Sequence, residues 1–342
     1  MKASRVRIED VAEQAGVSMK TVSRVLNHEP NVSESTRKLV EAAVEKLRYR
    51  PLPSARILAG SRSYLVAMLF DNPSSNYLME IQMGVLDACR DRHYNLMLAP
   101  LTLADRGLVS KVESLILQSQ LDGLLLTPPL TDDPALLKRL VELEVPWSSV
   151  SAKEQNRKIG VVVDEFGAVC AMMKHLVSLG HHRIAHISGH PAHGATGWRL
   201  AGYKEGLKRA SLRFDASLVV AGEFSYDSGY AAANRLLDLK RRPTAIFAAN
   251  DDMAAGVICA IRERGLSVPE DISVCGFDDT PIAHQIYPAL TTVRQPTREM
   301  GRLAALELLN EIREPASGSV VDVPYTLQLR RSTAAVATAG NG

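Results

Sequence analysis

The stretch from Ile8 to Asn27, IEDVAEQAGVSMKTVSRVLN, constrains this chain more than any other. Its apolar residues are Val11, Ala12, Ala15 and Val17, then Val22, Val25 and Leu26. Within each half they recur at spacings of three and four, so each half buries one stripe of a short helix. Ala12 and Ala15 are small enough for two helices to approach closely. Gly16 suits the left-handed backbone that ends a helix, and the Ser18 hydroxyl suits the cap of the next one. Glu9 and Asp10 fall in the first turn, where the helix dipole favours acids. The pattern predicts two helices about a tight turn at Gly16–Ser18. Met19, Lys20, Thr21, Ser23 and Arg24 lie on the outer face of the second helix. Ser33 is placed to cap a third helix, which buries Thr36, Val40, Ala43, Val44 and Leu47.

A helical hairpin of this kind is either an ordinary piece of core or a helix-turn-helix that offers side chains to a DNA major groove. Charge separates the two readings. Residues 1–62 carry 12 Lys and Arg against 7 acids, whereas the rest of the chain carries 28 against 31. A basic head on a slightly acidic body is the electrostatic footprint of a phosphate-binding module.

From Ile8 to Gly60 the sequence resembles the head of the LacI-family transcription regulators. The resemblance rests on Asp10-Val11-Ala12, Ala15-Gly16-Val17-Ser18, Thr21-Val22-Ser23-Arg24-Val25, Asn27, Val32-Ser33, Thr36-Arg37 and Tyr49-Arg50-Pro51, and it continues to about residue 332. It places Met19, Lys20 and Arg24 at base-reading positions. Their chemistry suits that role: Lys20 and Arg24 can donate to guanine O6 and N7, and Met19 can touch a thymine methyl. Thr21, Ser23 and Asn27 suit phosphates, which position without specifying, and Ser18 counts with them among the DNA-binding residues. The resemblance also implies a hinge helix over residues 51–61 that forms on operator DNA. Ala55 and Leu58 fit its pattern, with Leu58 as the wedge into the minor groove. Relatives carry Asn where this chain has Leu52, so a cap worth about 1 kcal/mol is missing and the free hinge is expected to be disordered.

Beyond the head, apolar runs alternate with helical stretches. Strands are predicted over 65–70, 96–99, 123–126, 161–163, 184–187, 245–249 and 273–277, with helices such as 79–92, 167–179 and 253–264 between them. Near-continuous apolar strands of this kind argue for parallel sheets covered on both faces, and roughly 280 residues argues for two lobes. In such sheets ligands bind beyond the carboxyl ends of the strands. Those ends lead into Asp71-Asn72, Thr127, Asp164, Asn250-Asp251 and Asp278-Asp279. Each could be a helix cap or turn former; together they favour a ligand site.

The resemblance adds an α/β body of two lobes, like the periplasmic sugar-binding proteins, built on two doubly wound parallel sheets and crossed three times near 162, 292 and 324. It implies a head over 1–50 and a body over 62–332. One lobe would hold about 62–162 plus 293–323, the other about 163–292 plus 324–332, with a disordered tail over 333–342. Arg199 falls at the family's effector-binding arginine, Asn250 and Asp278 at its hydroxyl-binding positions, and Tyr77 and Phe224 at positions offering apolar faces. Thr127, Asp164 and His193 are weaker pocket candidates. Aromatic faces with planar donors and carboxylates suit the C–H faces and hydroxyls of a sugar. The implied effector is a mono- or disaccharide, with a nucleobase or nucleoside corepressor as the alternative. The implied protein is a cytoplasmic homodimer on a near-palindromic operator, a repressor or a sugar-dependent activator.

Two rivals are a solute-binding protein and an enzyme. The basic head and the absence of an export signal count against the first. No phosphate loop, nucleophile elbow or nucleophile–base pair supports the second. The histidines at 181, 182, 186, 190 and 193 lack the spacing of one metal-binding helix face, so no metal or cofactor is predicted. The four cysteines are isolated, three of them (Cys170, Cys259 and Cys275) in apolar runs, as in a reducing cytosol, and no apolar run reaches membrane length. The tail after Ser332 lacks the leucine heptad that makes tetramers of some relatives, which leaves a dimer.

Overall fold

A computed structural model describes residues 6–26, 32–49, 62–152 and 159–336. Asn27, Leu52, Ala55 and Leu58, assigned above to DNA and hinge roles, lie outside the described residues. The chain divides into two compact units, Met1–Tyr64 and Leu65–Gly342.

The first unit is a three-helix head of α1 (Ile8–Ala15), α2 (Met19–Leu26) and α3 (Glu34–Leu47). Gly16 has φ 65°, and Val17 N–H donates back to Ala12 O at 3.0 Å, which closes the first helix. Ser18 Oγ accepts from Thr21 N at 3.1 Å and Ser33 Oγ from Thr36 N at 3.2 Å, so both predicted caps form. Val11, Val22 and Val40 are completely buried and meet Ala12, Val25, Ala43 and Tyr49 in one small core.

The second unit holds two six-stranded sheets. The first contains β1 (Leu65–Phe70), β2 (Asn95–Pro100), β3 (Gly123–Leu126), β4 (Trp147–Val150), β5 (Gly160–Val162) and β11 (Val320–Asp322), all parallel, in the order β11-β5-β4-β3-β1-β2. The second contains β6 (Ile184–Ser188), β7 (Val219–Ala221), β8 (Ala245–Ala248), β9 (Ser273–Asp278), β10 (Thr291–Arg294) and β12 (Thr326–Gln328), in the order β12-β10-β9-β8-β6-β7. The other pairs of this sheet are parallel, as predicted, and only its edge strand β12 runs antiparallel, to β10. The reason is topological. The parallel strands end at the edge where the lobes meet, so a strand entering from a crossing must run the other way. Strand pairing puts the second crossing after Arg294, two residues beyond the predicted position.

Helices α4 (Ser75–Asp91) and α12 (Thr297–Arg313) cover the first sheet together, and only glycines permit their approach. A Cβ on Gly84 would lie 1.8 Å from Arg298 O, and one on Gly301 2.3 Å from Ile81 O. On the second sheet α7 (Glu165–Ser178) and α8 (Gly194–Arg209) pack on one face, α9 (Tyr226–Leu237) and α10 (Asp251–Glu263) on the other. Helices α4, α7 and α10 begin two to four residues earlier than periodicity predicts, because Ser74, Asp164 and Asn250 cap them. The predicted disordered tail is also corrected at its start. His181 Nε2 contacts Ala334 O at 3.0 Å and Val336 N–H donates to Leu179 O at 3.0 Å, so residues 333–336 are held on the second lobe. No described helix is long and apolar enough to cross a membrane.

Candidate functional site

In the head, α2 presents an exposed Met19, at 51% of its full surface, with Lys20 and Ser18 exposed beside it and Thr21, Ser23 and Arg24 half-buried. Val22 and Val25 anchor the opposite side of the helix in the core. The Ser18 and Thr21 hydroxyls lie 2.9 Å apart, so Ser18 serves first as a cap.

In the body, the carboxyl ends of β1, β3 and β4 face those of β6, β8 and β9 across a cleft. Tyr77, His193, Arg199, Phe224, Asn250 and Asp278 line it together. Arg199 is its electrostatic centre, buried to 4% exposure. Its Nε donates to Glu165 Oε2 at 2.8 Å, one Nη donates to Ala249 O, and the other lies 3.6 Å from Asp278 Oδ1. Its guanidinium carbon sits 3.7 Å from the centre of the Phe277 ring, a cation–π contact in a desolvated setting. Burial works against the charge, but Glu165 and Asp278 outweigh it and the arginine holds its proton more tightly than usual. Of its five N–H groups, those not held by Glu165 and Ala249 remain for a ligand.

Asp278 shows the opposite balance. Burial pushes its carboxyl up to about 7 despite the pull of Arg199 and Gln295. Gln295 Nε2 donates to Asp278 Oδ1 at 2.6 Å, while Gln295 Oε1 is buried with no hydrogen-bond partner. An acceptor left bare in a cleft wall calls for a donor from whatever the cleft holds. Asn250 is fixed by both ends of its amide: Oδ1 accepts from Met253 N at 2.9 Å and Nδ2 donates to Phe224 O at 2.9 Å. That second bond positions the Phe224 backbone, and its ring lies 5.0 Å from the His193 ring. Burial, then His190 and Arg199, lower His193 to about 4, so the ring is neutral. Burial and the carboxylates of Asp278 and Glu165 raise the Tyr77 hydroxyl, which also stays neutral.

Two predicted residues are not brought to this cleft. Thr127 is fully buried and its hydroxyl donates to Leu69 O at 3.3 Å; Pro128 takes its place in the wall. Asp164 is exposed, accepts from Gly167 N at 2.8 Å as the cap of α7, and lines other cavities. The residue after it, Glu165, is the one that faces Arg199. Glu165 and Gln295 were missed, as were Ser151 and Ser74; Asn72, one of the strand-end residues, does line the wall. The strand-end rule would have found Gln295 had Thr291–Arg294 been read as a strand. The clustered histidines have separate partners: His181 meets Thr244 and Ser273, and His186 stacks between Tyr203 and Phe247.

Residues 7–52 match the family described as bacterial regulatory proteins, lacI family, and residues 173–333 match the periplasmic binding protein-like domain. Catabolite control protein A of Priestia megaterium is 35% identical over 337 residues, 96% of this chain and 99% of that protein. Among solved structures, the lac repressor dimer bound to operator and the anti-inducer ONPF aligns at a TM-score of 0.81 with 30% identity, over 97% of this chain and 100% of that one. The transcriptional regulator CelR in complex with cellobiose aligns at 0.73 with 32% identity, over 96% and 100%.

Proposed function

This chain belongs to the LacI family of bacterial regulatory proteins, as a DNA-binding transcriptional regulator and not an enzyme, and from that premise we propose that a small sugar in the Arg199 cleft controls its hold on operator DNA. The observation that carries the reading is Arg199 itself. A buried guanidinium, fixed by Glu165 and Ala249 O, presents spare donors beside the bare acceptor of Gln295 and the carboxylate of Asp278. That alternation of donors and acceptors, flanked by the rings of Tyr77 and Phe224, fits vicinal hydroxyls above apolar C–H faces. The cellobiose held by the similar CelR supports a mono- or disaccharide.

The head supplies the output. Met19, Lys20 and Arg24 read base edges, Ser18, Thr21 and Ser23 contact phosphates, and two heads of a cytoplasmic homodimer cover the halves of a near-palindromic operator. An apolar row on α4 (Met79, Met83 and Leu86, at 60%, 37% and 38% exposure) supports self-association. The lac repressor that aligns with this chain is itself a dimer on its operator. In this reading the protein represses in the free state and sugar releases it.

A thermal-shift series on the whole protein tests the ligand class. A ligand specific to the native state at 100 times its Kd adds about 2.7 kcal/mol and raises Tm by several degrees. Glucose, ribose, galactose, cellobiose and maltose form one arm; adenine, hypoxanthine and guanine form the other. A shift confined to the sugar arm is the expected result, and a shift confined to the nucleobases overturns it.

A further inference from the structure

At the edge of the cleft the Asp252 carboxylate takes hydrogen bonds across the two lobes. Asp252, in the first turn of α10, belongs to the second lobe. Across the gap stands the start of α4, in the first lobe. Asn76 Nδ2 donates to Asp252 Oδ1 at 2.8 Å, and the Ser74 hydroxyl donates to Asp252 Oδ2. Ser74 also caps its own helix, its Oγ accepting from Tyr77 N at 3.3 Å.

The electrostatics explain why an acid stands there. The first turns of two helices from opposite lobes meet at this carboxylate, and each N-terminus carries a partial positive charge. A carboxylate between them is attracted to both, and its two oxygens satisfy one donor each from the far lobe. Asn250, on the cleft wall, lies two residues before Asp252; Tyr77, on the opposite wall, follows Ser74 by three. Whatever moves the walls moves the clasp.

In the clasped state the cleft encloses only about 30 Å3, room for about two waters. We propose that Asp252, with Ser74 and Asn76, is an interlobe latch that holds the cleft shut, so that a sugar enters when its two hydrogen bonds break, and that it sets the free-energy cost of admitting the effector. The latch deepens the reading of the cleft as the ligand site. Its test uses no ligand, so either idea can fail without the other.

The experiment is hydrogen–deuterium exchange, by mass spectrometry, on the full-length ligand-free protein, following peptides over 74–80 and 250–256. Asp252→Ala and Asn76→Ala are compared singly and together. Each single variant should speed exchange about tenfold in both peptides, the order expected for losing one charge-assisted hydrogen bond. The double variant should add little further, because both changes open the same latch. A residue that merely supports its own helix gives a different result. If Asp252→Ala affects only 250–256 and Asn76→Ala only 74–80, or if neither changes either peptide, there is no latch. Asp252→Glu, which keeps the charge on a longer arm, should fall between the native protein and the alanine variant in both peptides; exchange as fast as in Asp252→Ala also counts against the assignment.

Discussion

Arg199→Ala should abolish the sugar-induced rise in Tm while leaving operator binding in place. If Arg199 gives the ligand two charge-assisted hydrogen bonds, as proposed, the variant removes about 1.5–3 kcal/mol for each, and ligand affinity falls about 100-fold or more. It also strands Glu165 and Asp278 in a buried wall, at a cost of about 3–5 kcal/mol to the body. That cost depends on pH, and the sign follows from Asp278. Its carboxyl stands at about 7 in the folded protein, above the ordinary 3.8, so the folded state holds this proton more tightly. Stability from that proton is present at low pH and is lost as pH rises towards 7. Without Arg199 the pull that lowers the Asp278 carboxyl is gone and it rises further, so the variant holds this proton where the native protein gives it up, and it should be closer to native stability at pH 6 than at pH 8. Because the alanine variant could simply unfold, Arg199→Met/Glu165→Gln is the second arm. It exchanges the ion pair for neutral groups of similar size and should recover stability without recovering the ligand response. A normal Tm response in the folded double variant contradicts the site assignment.

Lys20→Ala/Arg24→Ala should cut affinity for the specific operator by about 100-fold or more, since each base contact is worth about 1–3 kcal/mol of discrimination. The operator is obtained by selecting from random duplexes with the native protein. The informative quantity is the ratio of specific to random-sequence affinity at one salt concentration. If these residues read bases, the ratio collapses while weak binding to random DNA survives. If they only touch phosphates, both affinities fall together. Neither residue contributes to the Val11–Val22–Val40 core, so the head should keep its fold.

The limits of reading the sequence follow from the same chemistry. The head was legible because each device there is local: an apolar stripe at helical spacing, a glycine at φ 65°, two serine caps. Most inner strands were legible because strands buried on both faces read as unbroken apolar runs, as Leu65–Phe70 and Ala245–Ala248 do. Three of the four edge strands, and the inner strands Trp147–Val150 and Thr291–Arg294, were not. Val320–Asp322 and Thr326–Gln328 are short, half-exposed and of mixed polarity, and Thr291–Arg294 carries three polar residues. Missing that last strand hid Gln295. The strand-end rule found the right neighbourhood and misjudged two side chains, because it fixes where the backbone arrives and not where the side chain turns. Asp164 is captured by the N–H groups of the helix it starts, and its neighbour Glu165 turns inward to Arg199.

If a ligand in the Arg199 cleft controls the head, ligand binding and DNA binding are thermodynamically coupled. Coupling is reciprocal: if ligand weakens operator binding by some factor, operator must weaken ligand binding by the same factor. The decisive measurement is operator affinity by fluorescence anisotropy across a titration of the sugar found by thermal shift, paired with sugar affinity in the presence and absence of saturating operator. The expected loss is about 5- to 150-fold, equal in both directions and absent in Arg199→Met/Glu165→Gln. An operator affinity that ignores a sugar proven to bind the native protein contradicts it.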